Sequence, residues 1–250
     1  MSPSTAAVVV VGSEVLSAKV EDANGPFLTR RLRELGVELT ALHVVPDRMD
    51  AIVETLLAAR KRADWVITSG GVGPTHDDLT IAAVARALGV GLRRDDRMAR
   101  VLREMHARHH PGSEFPGVAL RMADLPEGTE LHGDPEFPTP VVSRVVMLPG
   151  VPSFLRHQFE AVVHLFDGAP YHLACLYFRW GEDRLALPLA AVAEAHPEVE
   201  VGSYPRFDEA EHRVRVTVEG RDRDSVRAAS RAVLAAVPAE ALVRTEGLDR

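Results

Sequence analysis

The stretch WVITSGGVGPTHDDLT, residues 65–80, decides the fold, because it passes from an apolar segment into a glycine-rich turn and on to a helix start. Residues 65–69, WVITS, include three β-branched side chains and are expected to form a buried strand that ends at the glycine loop. Glycines at positions 70, 71 and 73 follow, and they leave backbone N–H groups uncovered by side chains. Because a helix N-terminus carries partial positive charge, the loop is suited to an anion such as phosphate.

The same order of strand, loop and helix recurs on both sides of this stretch. The segment AAVVVV at 6–11 is a second candidate for a buried strand, and apolar residues at helical spacing up to Gly89 predict the helix after the loop. This alternation predicts βαβ units, and therefore an α/β fold with three layers and a mostly parallel sheet. The other predicted elements are a strand at 37–47, a strand with a turn at 142–152, and helices from Asn24 to Gly36, at 51–62 and at 154–166.

Two regions depart from this alternation. Residues 109–140 are rich in proline, glycine and charge, which predicts long loops with a short hairpin. These loops form either a lid over a cleft or irregular surface. Beyond a junction at residues 167–170 the order becomes β-α-β-β-α, so we predict two domains, residues 1–168 and a small α+β domain at residues 169–250. The predicted elements of the second domain are strands at 173–180, 199–204 and 212–218, and helices at 182–195 and 222–236.

Composition excludes several classes of protein. The 250 residues carry a formal net charge of −7, so no basic excess is available to bind nucleic acid or a membrane surface. The single cysteine, Cys175, lies in an apolar run and is expected to be a buried core residue rather than a reactive thiol. The apolar run at 6–11 is too short for a signal segment or a membrane span, so we expect a cytoplasmic protein.

Acidic residues follow the predicted strands of the sheet. In a parallel sheet, ligands bind beyond the carboxyl ends of the strands, so these side chains are expected to converge there. Adjacent carboxylates at 77 and 78 repel phosphate unless a divalent cation bridges the two. Alternatively, Thr75-x-x-Asp78 is a capping box that only starts the helix. The spacing leaves both interpretations open. The acidic residues expected to converge are Glu14, Asp22, Asp47, Asp77 and Asp78.

Four short motifs together resemble the molybdopterin-binding fold, as it occurs in the N-terminal domain of the competence/damage-inducible protein A (CinA) family. They occur in the order and at the approximate spacing of that family. Residues 202–222 are similar to the family's second, KH-like domain. The four motifs are GSEVL at 12–16 with DAN at 22–24, VVPD at 44–47, SGGVGPTHDDLT at 69–80 and LPGVP at 148–152.

The resemblance implies a hydrolase that acts on phosphoric anhydrides. Its CinA branch is associated with metal-dependent cleavage of ADP-ribose to AMP and ribose 5-phosphate, and the domain attached to FAD synthases with FAD hydrolysis. Two alternatives are a non-catalytic module that binds molybdopterin or a nucleotide, and a molybdopterin adenylyltransferase. The resemblance also implies a homodimer. We expect no amidase domain and no deamidase activity.

The residue assignments follow from this resemblance and from the chemistry of the loop. Asp78 and Asp47 are predicted to be catalytic. A divalent metal, Mg²⁺, Mn²⁺ or Co²⁺, is predicted to bind Asp78 together with Asp77 and Glu14. The family has aspartate or threonine where this chain has Ser13, which leaves the identity of the substrate open. The predicted substrate and phosphate contacts are Ser69, Gly70, Gly71, Gly73, Pro74, Thr75, Thr80 and Asn24.

Overall fold

The computed structural model describes residues 4–207 and 211–248. The outer ends of the two predicted domains, residues 1–3 and 249–250, lie outside the described residues. The chain divides into two compact units, Met1–Gly168 and Ala169–Arg250, and the division falls at the junction noted in the sequence. Within the described residues, no helix combines the length and the apolar character that crossing a membrane requires.

The first unit is built on a six-stranded sheet with the strand order β2-β1-β3-β8-β7-β6. Strands β2, β1, β3 and β8 are parallel, and β7 and β6 continue the sheet as antiparallel strands. The predicted mostly parallel sheet is therefore confirmed. The strands are β1 (Thr5–Val11), β2 (Glu38–Val45), β3 (Trp65–Ser69), β6 (Glu130–His132), β7 (Thr139–Val142) and β8 (Val145–Leu148), with a separate antiparallel pair β4 (Leu92–Arg94) and β5 (Asp124–Pro126).

Helices cover both faces of this sheet, which is why β1 is apolar throughout. Ala7, Val9 and Val11 pack in a core with residues of α3, α4 and α5. The intervening residues of β1 pack in a second core with α2 and α6. This arrangement confirms the three predicted layers. The helices are α1 (Ser13–Leu16), α2 (Asn24–Glu34), α3 (Met49–Arg60), α4 (Thr80–Leu88), α5 (Asp96–His109) and α6 (Pro152–Val162).

The strand with a turn predicted at 142–152 is confirmed, since β8 lies within it and the chain turns back on itself at its start. Ser143 and Arg144 both adopt left-handed conformations, with φ of 46° and 62°, and connect β7 to β8 as a hairpin. The short hairpin predicted within 109–140 is confirmed by the antiparallel pairing of β6 with β7, but the long loops predicted around it are partly wrong. A 3₁₀ helix at Gly117–Ala123 and the strands β5 and β6 occupy much of that region, although residues 110–116 do form a loop.

An ion pair connects the two helices that cover one face of the sheet. The guanidinium of Arg31 on α2 donates to both carboxylate oxygens of Glu160 on α6, over 2.6 and 2.8 Å. This contact lowers the pKa of Glu160. Because the pKa is lower in the folded chain, the stabilisation is present above the unfolded pKa and is lost as the pH falls through the folded pKa.

We therefore expect Glu160→Gln to lower the free energy of unfolding by about 0.5–1 kcal/mol at pH 7, since the pair is solvent-screened. The difference from wild type should shrink as the pH falls through the folded pKa of Glu160. Urea unfolding at a series of pH values below 7 measures this difference. Glu34→Gln is the matched control, because Glu34 bonds Arg31 within the same helix and is expected to matter less. A difference that stays constant as the pH falls would contradict the ion-pair origin.

The second unit is a four-stranded antiparallel sheet, in the order β10-β11-β9-β12, that packs against two helices. The predicted small α+β domain is confirmed, with one strand more than expected. The pattern missed β12, because its residues are only partly buried. Cys175 is buried in β9, and this burial raises the pKa of its thiol, as expected of a core residue. The elements are β9 (His172–Phe178), α7 (Glu182–Ala195), β10 (Glu200–Pro205), β11 (Val214–Gly220), α8 (Arg223–Ala236) and β12 (Leu242–Glu246).

Candidate functional site

The carboxyl ends of the parallel strands meet around one cavity of the first unit. The cavity has a volume of about 540 Å³ and lies where β1, β2 and β3 end. Adjacent strand ends are connected directly: the N–H of Gly12 donates to Val45 O over 3.0 Å. Most of the predicted site residues line this cavity, namely Glu14, Asp47, Gly70, Gly71, Gly73, Thr75, Asp77 and Asp78.

Asp22 has a different role from the one predicted. It does not line the main cavity but a smaller neighbouring one. Its Oδ1 accepts hydrogen bonds from the backbone N–H groups of Asn24 and Gly25, over 2.9 and 3.0 Å. These are the first two residues of α2, so the carboxylate satisfies N–H groups that a helix start leaves unpaired.

The glycine loop requires glycine at its first two positions. Gly70 and Gly71 have φ of 93° and 64°, and a Cβ on Gly70 would lie 2.3 Å from Val11 O. The N–H of Gly70 donates to Leu148 O over 3.1 Å, so the predicted phosphate contact of that group is wrong. The N–H groups of Gly71 and Gly73 donate to no acceptor within residues 4–207 and 211–248, and they remain available to a ligand.

Thr80 holds the loop from inside the protein. Its side chain is fully buried, its hydroxyl donates to Gly70 O over 2.7 Å, and its N–H donates to Gly71 O over 2.8 Å. The predicted direct contact between Thr80 and a phosphate is therefore wrong. Pro74 does not line the cavity either, and its carbonyl accepts a hydrogen bond from Arg121. Both residues shape the loop rather than contact a ligand in the cavity.

The turn that precedes α4 brings two carboxylates to a single hydroxyl. The hydroxyl of Thr75 contacts Asp77 Oδ1 at 2.5 Å and also contacts Asp78 Oδ2. The N–H of Thr75 donates to Asp78 Oδ2 over 2.7 Å. Because α4 begins only at Thr80, these bonds close a turn and do not cap the helix. The alternative of a capping box is therefore wrong, although the backbone bond of that motif is present.

The cavity carries a strong negative charge. Four carboxylates line it, and none of the described residues that line it is lysine, arginine or histidine. The Thr75 hydroxyl has one proton, so it cannot donate to both Asp77 and Asp78 at once. Its bond to Asp77 lowers the pKa of that carboxyl, which keeps the charge in place. Such a site has more acceptors than donors, and it favours a cation.

The carboxylate oxygens of this site fit a cation that is bound jointly by the protein and by a ligand. Within the described residues, no group of three or more His, Cys, Asp or Glu side chains is placed to hold a metal alone. Mg²⁺ is commonly bound by one or two carboxylates together with phosphate oxygens and water. The carboxylates of Glu14, Asp77 and Asp78 supply ligands of that kind, and a diphosphate on the glycine loop would supply the others.

Asp47 is positioned by Ser13, which stands where the family has aspartate or threonine. The N–H of Ser13 donates to Asp47 Oδ2 over 2.7 Å, and the N–H of Asp47 donates to Ser13 Oγ over 3.1 Å. This reciprocal pair connects the end of β1 to the end of β2. Asp47 Oδ1 accepts no hydrogen bond from the described residues, so one oxygen is available in the cavity.

A smaller cavity of about 70 Å³ adjoins the first and contains a buried acceptor. The side-chain Nδ2 of Asn24 donates to Ser69 Oγ over 2.9 Å and to Gly150 O over 2.7 Å. A carbonyl accepts only, so the bond to Gly150 settles which end of the amide is nitrogen. Asn24 Oδ1 is buried and has no partner within the described residues. A buried acceptor of this kind calls for a donor from a ligand or water.

Comparison with known proteins accounts for this arrangement. The family model described as "Probable molybdopterin binding domain" matches residues 7–167, which include the whole of the site. The chain belongs to this family. The model described as "FAD synthase, middle domain" matches residues 170–246, nearly all of the second unit.

Individual relatives agree with the two family models. A probable FAD synthase of Caenorhabditis briggsae is 30% identical and is matched over 90% of this chain. A CinA-like protein of Frankia casuarinae is 38% identical over 63% of this chain. The chain spans 48% and 39% of the length of these two relatives. The crystal structure of CinA from Thermoplasma acidophilum, of unknown function, is 29% identical and superposes on 64% of this chain and 95% of its own, with a TM-score of 0.55. The resemblance to CinA is confirmed.

One wall of the cavity was not predicted from the sequence. Met105, Met122, Phe137 and Phe154 line the side of the cavity formed by α5, the 3₁₀ helix, the loop before β7, and α6. These residues come from four separate segments, so no local motif unites them. The sequence carries little signal for this wall: Phe137 lies beside Pro138 in a predicted loop, and Phe154 begins a predicted helix.

Proposed function

We propose that this protein is a metal-dependent pyrophosphatase. Its substrate is a nucleotide with an adenosine diphosphate core, such as ADP-ribose or FAD, and its products are AMP and a second phosphorylated compound. One observation carries the proposal: the free N–H groups of Gly71 and Gly73 and four carboxylates, without a basic side chain, line the same cavity. Backbone N–H groups suit a phosphate, while the carboxylates repel it unless a cation binds as well.

In the proposed reaction, the oxygen of a water molecule forms a bond to one phosphorus and the bridging P–O bond breaks. The departing phosphate keeps the bridging oxygen and its electron pair, so AMP and a second phosphomonoester result. A divalent cation, when bound, neutralises charge on the diphosphate and lowers the pKa of the attacking water. Asp78, with Asp77 and Glu14, would hold that cation.

The remaining side chains orient the reactants. Asp47 is held by Ser13 through Oδ2, which leaves Oδ1 to accept the proton of the attacking water. Gly71 and Gly73 donate to the diphosphate through their N–H groups. Asn24 Oδ1 is buried beside the smaller cavity, where a donor group that the substrate extends into that cavity would satisfy it.

The comparisons support a ligand of the nucleotide class. Both units match regions of proteins named as probable FAD synthases, and the glycine loop lies within the molybdopterin-binding match. The homodimer and the choice of Mg²⁺, Mn²⁺ or Co²⁺ stay predictions. Molybdopterin adenylyltransfer is a weaker candidate, since the chain also carries the second unit.

A second candidate is a binding module that holds a nucleotide or pterin without cleaving it. It is favoured by the turn before α4, where Asp77 and Asp78 already bond Thr75 and form no complete metal cluster with the other described residues. In that case the carboxylates of Asp77 and Asp78 would stabilise the conformation of the loop and would not bind a metal. The two candidates differ in whether a product forms.

The test is AMP release from ADP-ribose, FAD and NAD, each with Mg²⁺, Mn²⁺ or Co²⁺ and each with a chelator. We expect AMP from at least one substrate with metal and none with the chelator. In water labelled with ¹⁸O, hydrolysis places the label in one of the two phosphomonoesters. Tight binding of a ligand without any AMP would overturn the proposal in favour of a binding module. With a pterin added to the same assay, AMP transfer to the pterin without ¹⁸O uptake would instead indicate adenylyltransfer.

A further inference from the structure

The second unit contains a cavity of its own at the ends of three adjacent strands. This cavity has a volume of about 840 Å³, within the range of pockets that hold a small organic ligand. Its described lining comes from the end of β9 with the start of α7, from the end of β10 and from the start of β11. It shares no lining residue with the glycine-loop cavity, so what it binds does not depend on the proposed function.

Three arginines line this cavity from neighbouring strand ends. Arg206 and Arg213 lie directly opposite each other, because the N–H of Arg206 donates to Arg213 O over 2.7 Å in continuation of the β10–β11 register. The N–H of Arg213 donates over 2.8 Å to the carbonyl of Phe178, the residue that precedes Arg179. The side chains of Arg179, Arg206 and Arg213 all line the cavity. The sheet therefore brings three positive charges together from three separate segments.

This arrangement of arginines is unfavourable unless an anion is bound. Like charges that lie directly opposite each other on neighbouring strands destabilise a sheet. In the part of the chain that the structure describes, none of the three guanidinium groups forms an ion pair with a carboxylate. An anion in the cavity would neutralise the repulsion between Arg206 and Arg213 and would gain several charged donors at once.

Three carboxylates also line the cavity, but other groups stabilise them. Arg244 Nε lies 3.1 Å from Glu211 Oε1, and the hydroxyl of Ser203 donates to Glu182. Glu182 and Asp183 lie in the first turn of α7, where the helix dipole stabilises a negative charge. These contacts leave the guanidinium groups of the three cavity arginines available to a ligand.

We propose that this cavity of the second unit binds a diphosphate without a divalent cation. A guanidinium group matches two phosphate oxygens at a time, and three such groups supply the positive charge that a metal would supply at the glycine loop. The diphosphate is either inorganic or part of a nucleotide. Phe207 lines the same cavity and is 92% exposed, so it offers an aromatic face on which a nucleotide base would stack.

The test is calorimetry of the full chain with a chelator present, because the carboxylates of the glycine-loop cavity repel phosphate when no cation is bound. The probes are inorganic pyrophosphate and ADP. Arg213→Ala removes the central arginine and should weaken binding of both probes about tenfold, the size expected for one charge-assisted contact. Arg213→Lys keeps the charge but not the fork and should lose less. Arg231→Ala is the control, because Arg231 is exposed on α8 and does not line the cavity; it should change binding less than twofold.

Thermal unfolding separates loss of binding from loss of the fold. Without a ligand, Arg213→Ala should unfold at the same temperature as wild type or a higher one, because it removes a repulsive contact. Pyrophosphate should raise the Tm of wild type more than that of Arg213→Ala. Weaker binding of ADP alone in Phe207→Leu would identify the ligand as a nucleotide, and unchanged binding of both probes would identify it as an inorganic diphosphate. No binding without metal, or equal weakening by Arg213→Ala and Arg231→Ala, would overturn the proposal.

Discussion

Asp78→Asn is expected to lower the rate of metal-dependent AMP release by at least ~10²-fold, with the fold intact. The substitution removes a charge from the cavity but keeps an oxygen that can accept the hydrogen bond from the N–H of Thr75, at 2.7 Å in wild type. The turn before α4 should therefore persist. The amide side chain introduced by Asp78→Asn is neutral, so the variant lacks the negatively charged oxygen that would bind the proposed cation.

The neighbouring Asp77→Asn is the matched control. Asp77 is exposed, and its Oδ1 accepts from the hydroxyl of Thr75 rather than from a backbone group. Its loss should raise the metal concentration required for half-maximal rate and lower the maximal rate less than Asp78→Asn does. Initial rates across a Mg²⁺ titration separate the two effects, and thermal unfolding checks the fold. An unchanged rate in Asp78→Asn would remove this residue from the catalytic machinery.

Much of the fold could be predicted because local pattern and tertiary environment agree along the central strands. The apolar run of β1 is buried on both faces, and β3 matches its predicted bounds, Trp65–Ser69. A strand with a turn was predicted at 142–152, but the position of the turn between β7 and β8 was not, because Ser143 and Arg144 take a conformation that glycine or asparagine usually adopts.

The candidate site could be predicted only in part, for a similar reason. Topology places the ends of parallel strands together, which brings Glu14, Asp47 and Asp78 to one cavity. Whether a group in the loop faces the ligand or the protein depends on contacts that are distant in sequence. The N–H of Gly70 bonds Leu148, 78 residues away, and the two phenylalanines of the wall come from separate segments, a predicted loop for Phe137 and a predicted helix for Phe154.

Gly70→Ala should be the most destabilising single substitution in the loop, with a loss of at least ~2 kcal/mol in the free energy of unfolding. A left-handed conformation costs a residue with a side chain about 1–2 kcal/mol. Gly70 has φ of 93°, and its Cβ would in addition lie 2.3 Å from Val11 O, an atom of the β1 backbone. Relief of that contact requires a shift of the central strand against the loop, so ligand binding should fall as well.

Gly89→Ala separates the two costs, because Gly89 has φ of 70° but nothing within 4 Å of an added Cβ. The Gly89→Ala variant should lose only the conformational part of the free energy of unfolding, about 1 kcal/mol. Urea unfolding in a Trp180→Phe background leaves Trp65 of β3 as the only tryptophan, so the fluorescence reports on the first unit alone. Equal losses in the two variants would contradict the steric argument. A larger loss in Gly70→Ala, with an unchanged denaturant slope, would show that the glycine loop and the central strand are packed together as one structural unit.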